Sequence, residues 1–245
     1  MSKLDLLVIE GDKGFEKVHG GVRVSAQAYN AIELFMHFFP KTELDGAGRL
    51  TIHVCSKPDD KPVYYFSAFF KISIYYVSEE ILEEPKRLKP NEWDEFYLKL
   101  IENVLKDIAC TAGKEETIPV IEKAAADVRA TGYELLIPMK KLSKRSPNRE
   151  YQATTYRYLT PQGELQFIEI AGKSTGKEKY VISNGYEKFP LGYYAHKCEW
   201  VGNRFVIKDR QDCVRAYVDA DLKTMHSTQN KRTSAEKVMT RMRPF

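Results

Sequence analysis

Two His-x-Cys pairs are the residues whose types and spacing come nearest to a metal site. His53 precedes Cys55 by two positions, and His196 precedes Cys198 by the same interval. Residues two apart point to the same side of a β-strand, so each pair presents an imidazole and a thiol together. Two such pairs can complete a His2Cys2 zinc tetrahedron. Ordinary buried strand positions explain the same residues without a ligand, and we therefore predict no bound metal or other cofactor.

The motifs of common catalytic sites are absent from the sequence. It has no G-x-S-x-G turn for a nucleophilic serine, no H-E-x-x-H pattern and no dinucleotide fingerprint. The Gly-Lys-Ser-Thr-Gly-Lys segment at 172–177 resembles a phosphate-binding loop, but Phe167 stands where its first glycine is required. A nuclease motif built on Lys71 fails as well, because Phe69 occupies the position of the acid. We assign no catalytic residue and expect a non-enzymatic protein.

Charge divides the chain into two unlike halves. Residues 1–138 hold 17 Lys and Arg against 23 Asp and Glu, whereas residues 139–245 hold 21 against 11. The first half is therefore acidic, and the second is strongly basic. Such asymmetry within one chain indicates binding to an anionic partner.

Aromatic residues, mostly tyrosines, are interleaved with the basic residues of the second half. Lysine and arginine neutralise phosphates, and exposed aromatic rings stack on unpaired bases. This pairing predicts a nucleic-acid-binding protein that favours single-stranded DNA or RNA, where bases are splayed and accessible. The candidate contacts are Lys140, Lys141, Lys144, Arg145, Arg149, Tyr156, Arg157, Tyr158, Lys231, Arg232, Lys237, Arg241 and Arg243.

The same charge split fits a protein–protein interaction module without chemistry of its own. Oppositely charged halves can associate head to tail or bind a charged protein partner, as an assembly subunit or a toxin-neutralising protein would. A solvated basic face with no nucleic-acid role is a third interpretation. The sequence alone leaves these alternatives open.

Composition predicts a globular cytoplasmic protein. Of the 245 residues, 43% are hydrophobic and 29% are charged, which is the balance of a chain that builds a core. The N-terminus lacks the long apolar run of a signal peptide, and no stretch approaches 18 uncharged apolar residues. The four cysteines are scattered without C-x-x-C spacing, which favours reduced thiols.

Hydrophobic periodicity predicts an acidic α+β region over residues 1–138. Helical spacing appears at 25–39, at 91–113 and at 115–130, with Ser25 as the first N-cap. β-Branched and aromatic runs at 49–56 and 63–77 predict a two-stranded hairpin, because a Pro-Asp-Asp-Lys-Pro turn separates them. A further strand is expected at 133–138.

The second half reads as a separate antiparallel β region. Residues 139–150 are basic and turn-prone, which predicts a linker or exposed loop. Short strands are expected at 151–159, 164–170, 179–183, 192–200, 204–208 and 214–218, with a hairpin turn at Gly202-Asn203. Their spacing favours an antiparallel sheet or a small barrel over 151–223. Residues 224–245 form a basic tail that can form a short helix at 234–242.

Overall fold

The structure, a computed structural model, describes residues 2–11, 23–55, 63–89, 92–173, 176–185 and 195–227. It divides into two compact units. Unit 1 comprises Met1–Glu134 together with Leu159–Gln162, and unit 2 comprises Leu135–Tyr158 with Gly163–Phe245. The basic segment 139–150 therefore folds as part of unit 2.

Unit 1 contains a four-stranded mixed sheet. Its strands are β1 (Leu6–Gly11), β2 (Arg49–Cys55), β3 (Tyr64–Ser67) and β4 (Ile72–Ser78), in the order β1-β2-β4-β3. β2 runs parallel to β1 and to β4, whereas β3 is antiparallel to β4. Parallel neighbours require a crossover connection, and α1 (Val24–Gln27) and α2 (Tyr29–Phe38) supply it between β1 and β2.

A layer of helices supports this sheet. α3 (Trp93–Thr111) and α4 (Ile118–Ala130) pack on each other and on α2. The buried positions of α3 recur at helical spacing, from Phe96 through Leu100 and Val104 to Ile108. Gly113, with φ of 64°, follows the end of α3 in the left-handed conformation that glycine adopts readily. The helices predicted at 91–113 and 115–130 are thus confirmed, apart from their ends.

Two expectations for unit 1 are wrong. The run at 63–77 is not one strand that forms an antiparallel hairpin with β2. It forms the hairpin β3–β4, whose turn occupies residues 68–71, and β4 pairs with β2 in parallel. The turn contains Phe69, Phe70 and Lys71, with Lys71 at φ 54°, and no Gly or Pro marks it in the sequence. Ser25 lies inside α1, whose N-cap is Arg23, so it does not cap the helix.

Unit 2 consists of two antiparallel β-sheets. The first contains β5 (Leu135–Pro138), β7 (Tyr151–Thr160), β8 (Gly163–Gly172) and β9 (Gly176–Gly185), with β6 (Lys144–Arg145) added beside β7. The second contains β10 (Lys197–Val201), β11 (Arg204–Lys208), β12 (Val214–Asp219) and β13 (Thr224–Ser227) in sequential order. Each strand of the second sheet is antiparallel to the next.

The two sheets of unit 2 share one hydrophobic core. Ile168, Ile170 and Ile182 of the first sheet pack with Phe205, Ile207, Ala216 and Val218 of the second. These residues recur at every second position of their strands, so they lie on one face of each sheet, as in a sandwich of two sheets. Leu165, Phe167 and Val181, at intervening positions of β8 and β9, form a second, smaller buried cluster.

The architecture is α+β, as the sequence predicts, with antiparallel sheets in the second half. Neither sheet described in unit 2 closes into a barrel. The hairpin at Gly202-Asn203 is confirmed, and Gly172 and Gly176 pair across a second hairpin rather than opening a phosphate loop. β13 lies where a tail is predicted, because its four residues, Thr-Met-His-Ser, include only one large apolar side chain and give a weak strand signal. In the described ranges, no helix is long and apolar enough to cross a membrane.

Candidate functional site

The cationic residues of the 139–150 segment lie on a stretch of backbone that contacts β7. We call residues 140–149 the basic strap. It begins with a 3-10 turn, Lys140–Leu142, from which Leu142 projects into the core of unit 2 with 2% of its surface exposed. The Ser143 hydroxyl donates to the carbonyl of Met139 (2.9 Å) and accepts the N–H of Thr155 (3.1 Å). These contacts fix the start of the strap against β7.

The second part of the strap is held by strand pairing and a closed turn. In β6, Lys144 and Arg145 pair with Ala153 and Gln152 of β7. The backbone of buried Ser146 donates to the carbonyl of Tyr151 (2.9 Å), and its hydroxyl accepts the N–H of Tyr151 (2.9 Å). A backbone held at both ends presents its side chains with less conformational freedom to lose on binding.

All five cations of the strap are exposed, and no ion pair with an acid is found for any of them among the described residues. They are Lys140, Lys141, Lys144, Arg145 and Arg149. Several other lysines of unit 2 are paired: Lys177 lies 3.1 Å from Glu169, and Lys223 lies 2.5 Å from Glu178. Lys173 and Lys179 have no ion pair with an acid in the described ranges, but they do not lie within one short segment with other such cations. The strap therefore concentrates positive charge that the rest of unit 2 leaves unneutralised.

Two aromatic side chains adjoin the strap. The indole N–H of Trp200, on β10, donates to the carbonyl of Lys144 (2.9 Å). The Tyr151 ring stacks on Trp200 with centroids 6.0 Å apart and an angle of 18°. The Tyr151 hydroxyl donates to Asp221 (3.0 Å), and that hydrogen bond raises the pKa of Tyr151. Site reasoning from sequence missed this pair, because its contact depends on β10 lying beside β6.

Tyr156, Arg157 and Tyr158 are not part of the strap. Tyr156 and Tyr158 pack on a small cluster of Leu165, Phe167 and Val181, and the rings of Tyr156 and Phe167 stack at 5.1 Å. Arg157 points to the other side of β7, where its guanidinium binds both carboxylate oxygens of Glu164 at 2.8 and 2.9 Å. Glu164 is only 4% exposed. The structure thus separates a paired arginine from the unpaired cations with which the sequence groups it.

The remaining five candidate contacts, Lys231, Arg232, Lys237, Arg241 and Arg243, lie outside the described residues, as does the helix expected at 234–242. The strap is therefore the only group of predicted contacts with a described geometry that keeps its charges together.

The proposed zinc ligands fall in separate units. His53 and Cys55 lie on β2, where the His53 Nδ1 is 3.8 Å from a carboxylate oxygen of Glu10. His196 precedes β10 instead of lying within it, so the strand predicted from residue 192 is wrong at that position. Within the described ranges, no three His, Cys, Asp or Glu side chains form a group that can hold a metal.

The Cys198 thiol lies in an environment that does not activate it. All four cysteines are unpaired. Burial raises the pKa of Cys198, whose thiol donates to the carbonyl of Lys141 at 3.6 Å. A raised pKa keeps the sulfur protonated at neutral pH, and a protonated thiol is a poor nucleophile and a poor metal ligand.

A buried polar cluster lies between α1, α2 and α3 of unit 1, and sequence reasoning did not single it out. Asp94 accepts a hydrogen bond from the Asn30 amide (2.8 Å), and the Tyr97 hydroxyl donates to Gln27 (2.8 Å). Burial raises the pKa of Asp94 to about 6, although hydrogen bonds from Asn30 and the Ala31 backbone oppose that rise. None of these contacts brings a cation to Asp94. The ionised carboxylate is therefore buried without a salt bridge in this cluster, which is energetically unfavourable.

Comparisons with known proteins give no relative for this chain: it matches no family model, no curated protein and no solved structure.

Proposed function

We propose that this chain is a non-enzymatic nucleic-acid-binding protein that holds the sugar-phosphate backbone on the basic strap. The observation that carries the proposal is the cluster of five exposed cations on one short segment, for which the described part of the chain offers no acidic partner. The cytoplasmic location that we predict from composition is compatible with an RNA ligand.

Unpaired surface cations are suited to phosphates for an electrostatic reason. A lysine that already contacts a carboxylate must lose that partner before it can bind a phosphate, whereas the strap lysines need lose only water and counterions. Phosphates that replace those counterions release them from the nucleic acid, and this release makes binding favourable and salt-dependent. Contacts of this kind do not read sequence.

The preference for single strands is supported by partly exposed aromatic rings. Tyr151, Trp200, Tyr156 and Tyr158 are each half-buried. Tyr151 and Trp200 stack on each other, and Tyr156 stacks on Phe167, so part of each of these rings is covered. Stacking on bases would therefore add to the phosphate contacts without replacing them. Bases of a single strand can turn toward such rings, whereas bases of a duplex are held in the stack.

Fluorescence anisotropy with labelled single-stranded DNA and RNA, at about 50 and 200 mM salt, tests the proposal. Four phosphate contacts on a single strand predict that affinity falls about 50-fold over this range. A variant with alanine at Lys140, Lys141, Lys144 and Arg145 should bind about 100-fold more weakly at the lower salt and should lose most of the salt dependence.

The matched control removes the same number of charges from paired positions of unit 2. Lys177, Lys197, Lys208 and Lys223 all have carboxylate partners, namely Glu169, Asp212, Glu199 and Glu178. Alanine at these four positions should weaken binding far less than alanine in the strap. Equal losses in the two variants would show that net charge alone governs binding, and no binding by the wild-type protein at 50 mM salt would exclude the proposal.

A protein–protein interaction module is the second candidate function. The hairpin β3–β4 favours it, because this hairpin combines an open strand edge with exposed apolar side chains in unit 1.

A further inference from the structure

β3 forms an open edge of the sheet in unit 1. The N–H of Tyr76 donates to the carbonyl of Val63 (2.8 Å), so these two residues are a hydrogen-bonded antiparallel pair. Pairs of this type alternate with non-hydrogen-bonded pairs along the register of β3 and β4. Tyr64 and Phe66 therefore point their backbone N–H and C=O groups away from β4. No hydrogen bond to these four groups is found among the described residues.

The sequence around this edge is apolar and uncharged. Residues 63–70 read Val-Tyr-Tyr-Phe-Ser-Ala-Phe-Phe. Of the nine exposed large hydrophobic residues in the described chain, four lie here: Val63, Tyr65, Phe69 and Phe70. Proteins usually protect an edge strand with charges, proline or a covering segment. Among the edge strands, β1, β9 and β10 carry charged residues, whereas β3, like the four-residue strands β5 and β13, carries none. β3 differs from β5 and β13 in the number of exposed apolar side chains beside it.

We propose that β3 pairs antiparallel with β3 of a second copy of this chain, so that the two sheets of unit 1 join into one across a twofold axis. In the register that uses every outward backbone group, Tyr64 of each copy faces Phe66 of the other. Their two N–H and two C=O groups per copy then form four hydrogen bonds between the copies. Tyr65 lies on the axis and faces Tyr65 of the other copy at a non-hydrogen-bonded position.

A second copy suits this edge because the edge is complementary to itself. Antiparallel pairing of identical strands places the same surface on both sides of a twofold axis. With no charged residue in 63–70, the two copies bring no like charges together. The facing tyrosines are 50% exposed in the single chain and would form an aromatic cross-strand pair, which stabilises antiparallel sheets.

Charge exchange at Tyr65 tests this arrangement. The wild-type protein, freed of nucleic acid, should show about twice the 28.3 kDa chain mass by light scattering at tens of micromolar. Tyr65→Lys alone and Tyr65→Glu alone should each be monomeric, because like charges directly opposite repel. An equimolar mixture of the two variants should return to the dimeric mass. A monomeric wild type, or variants that stay dimeric, would overturn the proposal.

A disulfide at the axis gives a second test that requires no change of charge. Non-hydrogen-bonded pairs have Cα atoms about 4.5 Å apart, within the range that a disulfide spans. In a background of Cys110→Ser and Cys213→Ser, which removes the exposed native thiols, Tyr65→Cys should form a covalent dimer under mild oxidation. Leu222→Cys, at a 69% exposed turn position, is the control. Equal crosslinking of both variants would exclude this register.

Both tests use self-association as the readout, so their outcome is independent of nucleic-acid binding by unit 2. A free protein partner, rather than a second copy, would leave the purified chain monomeric and is thereby distinguished from the proposal.

Discussion

The face formed by α3 and α4 in unit 1 and the basic strap in unit 2 both contain several charged residues, yet their charges are arranged differently. On α3 and α4, Arg129 lies 3.1 Å from carboxylate oxygens of Glu95 and of Glu102, and Lys106 lies 2.8 Å from both Glu102 and Glu122. On the strap, none of the five cations has an acidic partner among the described residues.

The difference shows that a count of charges is a poor guide to what those charges do. Cations with carboxylate partners contribute to the stability of the fold and are partly neutralised. Cations without partners contribute little to the fold and remain available for an external anion. The comparison predicts that paired and unpaired charges respond to substitution in opposite ways, with stability lost in one group and binding lost in the other.

Arg157 should show a larger stability effect than any cation of the strap or of α3 and α4. Arg157→Ala removes the cation that binds both carboxylate oxygens of Glu164, which is 4% exposed, and breaking a buried ion pair by removing one partner costs about 3 kcal/mol. Urea unfolding should show this loss, while affinity for single-stranded nucleic acid should change little.

A double variant separates loss of the ion pair from loss of packing. Arg157→Met combined with Glu164→Leu removes both charges, so it should be less destabilised than Arg157→Ala. If Arg157→Ala keeps the wild-type stability and loses binding, Arg157 belongs with the strap cations after all.

Asp94 extends the comparison to a buried acid whose contacts in the described ranges include no cation. Burial raises its pKa to about 6, so the folded protein holds this proton more tightly than the unfolded chain does. The stability that this proton supplies is fully present below about pH 4 and is lost as pH rises through about 6. Over that window, Asp94 should lower the unfolding free energy by about 2–3 kcal/mol.

Asp94→Asn should remove this pH dependence, because the neutral amide has no charge to bury. Urea unfolding at pH 4 and pH 7.5 gives the unfolding free energies of variant and wild type, and the difference between them should change between the two pH values. For Glu95→Gln, the difference in unfolding free energy from wild type should change with pH in the opposite direction. Burial alone would raise the pKa of Glu95, but hydrogen bonds from Tyr133 and Arg129 hold it below its ordinary value. An identical pH profile for wild type and Asp94→Asn would contradict the prediction.

The sequence correctly predicts those helices and strands that are determined by residues close together in the chain. α3 and α4 follow from helical periodicity, and β11 matches its predicted residues 204–208 because a Gly-Asn turn fixes its start. The pairing of β2 with β1 and β4 could not be predicted in the same way. It depends on a crossover through α1 and α2 and on a hairpin turn made of Phe69 and Phe70, which have a strand-like composition.

The candidate site was predictable in its charges but not in its contacts. The strap cations are evident from sequence because they are contiguous. Arg157 was grouped with them because its partner, Glu164, faces it only across the β7–β8 hairpin. The contact of Trp200 with Lys144 likewise joins residues 56 positions apart, and no spacing rule indicates it.

Single substitutions with small effects on stability compare a paired cation of α4 directly with an unpaired cation of the basic strap. Arg129→Ala removes contacts with Glu95 and Glu102, which are partly exposed, so solvent screening limits the expected loss to about 1 kcal/mol. Lys144→Ala removes no ion pair, and its unfolding midpoint should stay within about 2 °C of wild type.

In the binding assay, Lys144→Ala should have the larger effect and Arg129→Ala the smaller one. Lys144→Ala should weaken the affinity for single-stranded nucleic acid severalfold and lower the salt slope by about 0.7, the contribution of one phosphate contact, whereas Arg129→Ala should change neither. If instead Lys144→Ala destabilises the protein as much as Arg129→Ala and leaves binding unchanged, the strap lysine has a structural role and the distinction between paired and unpaired cations fails at this position.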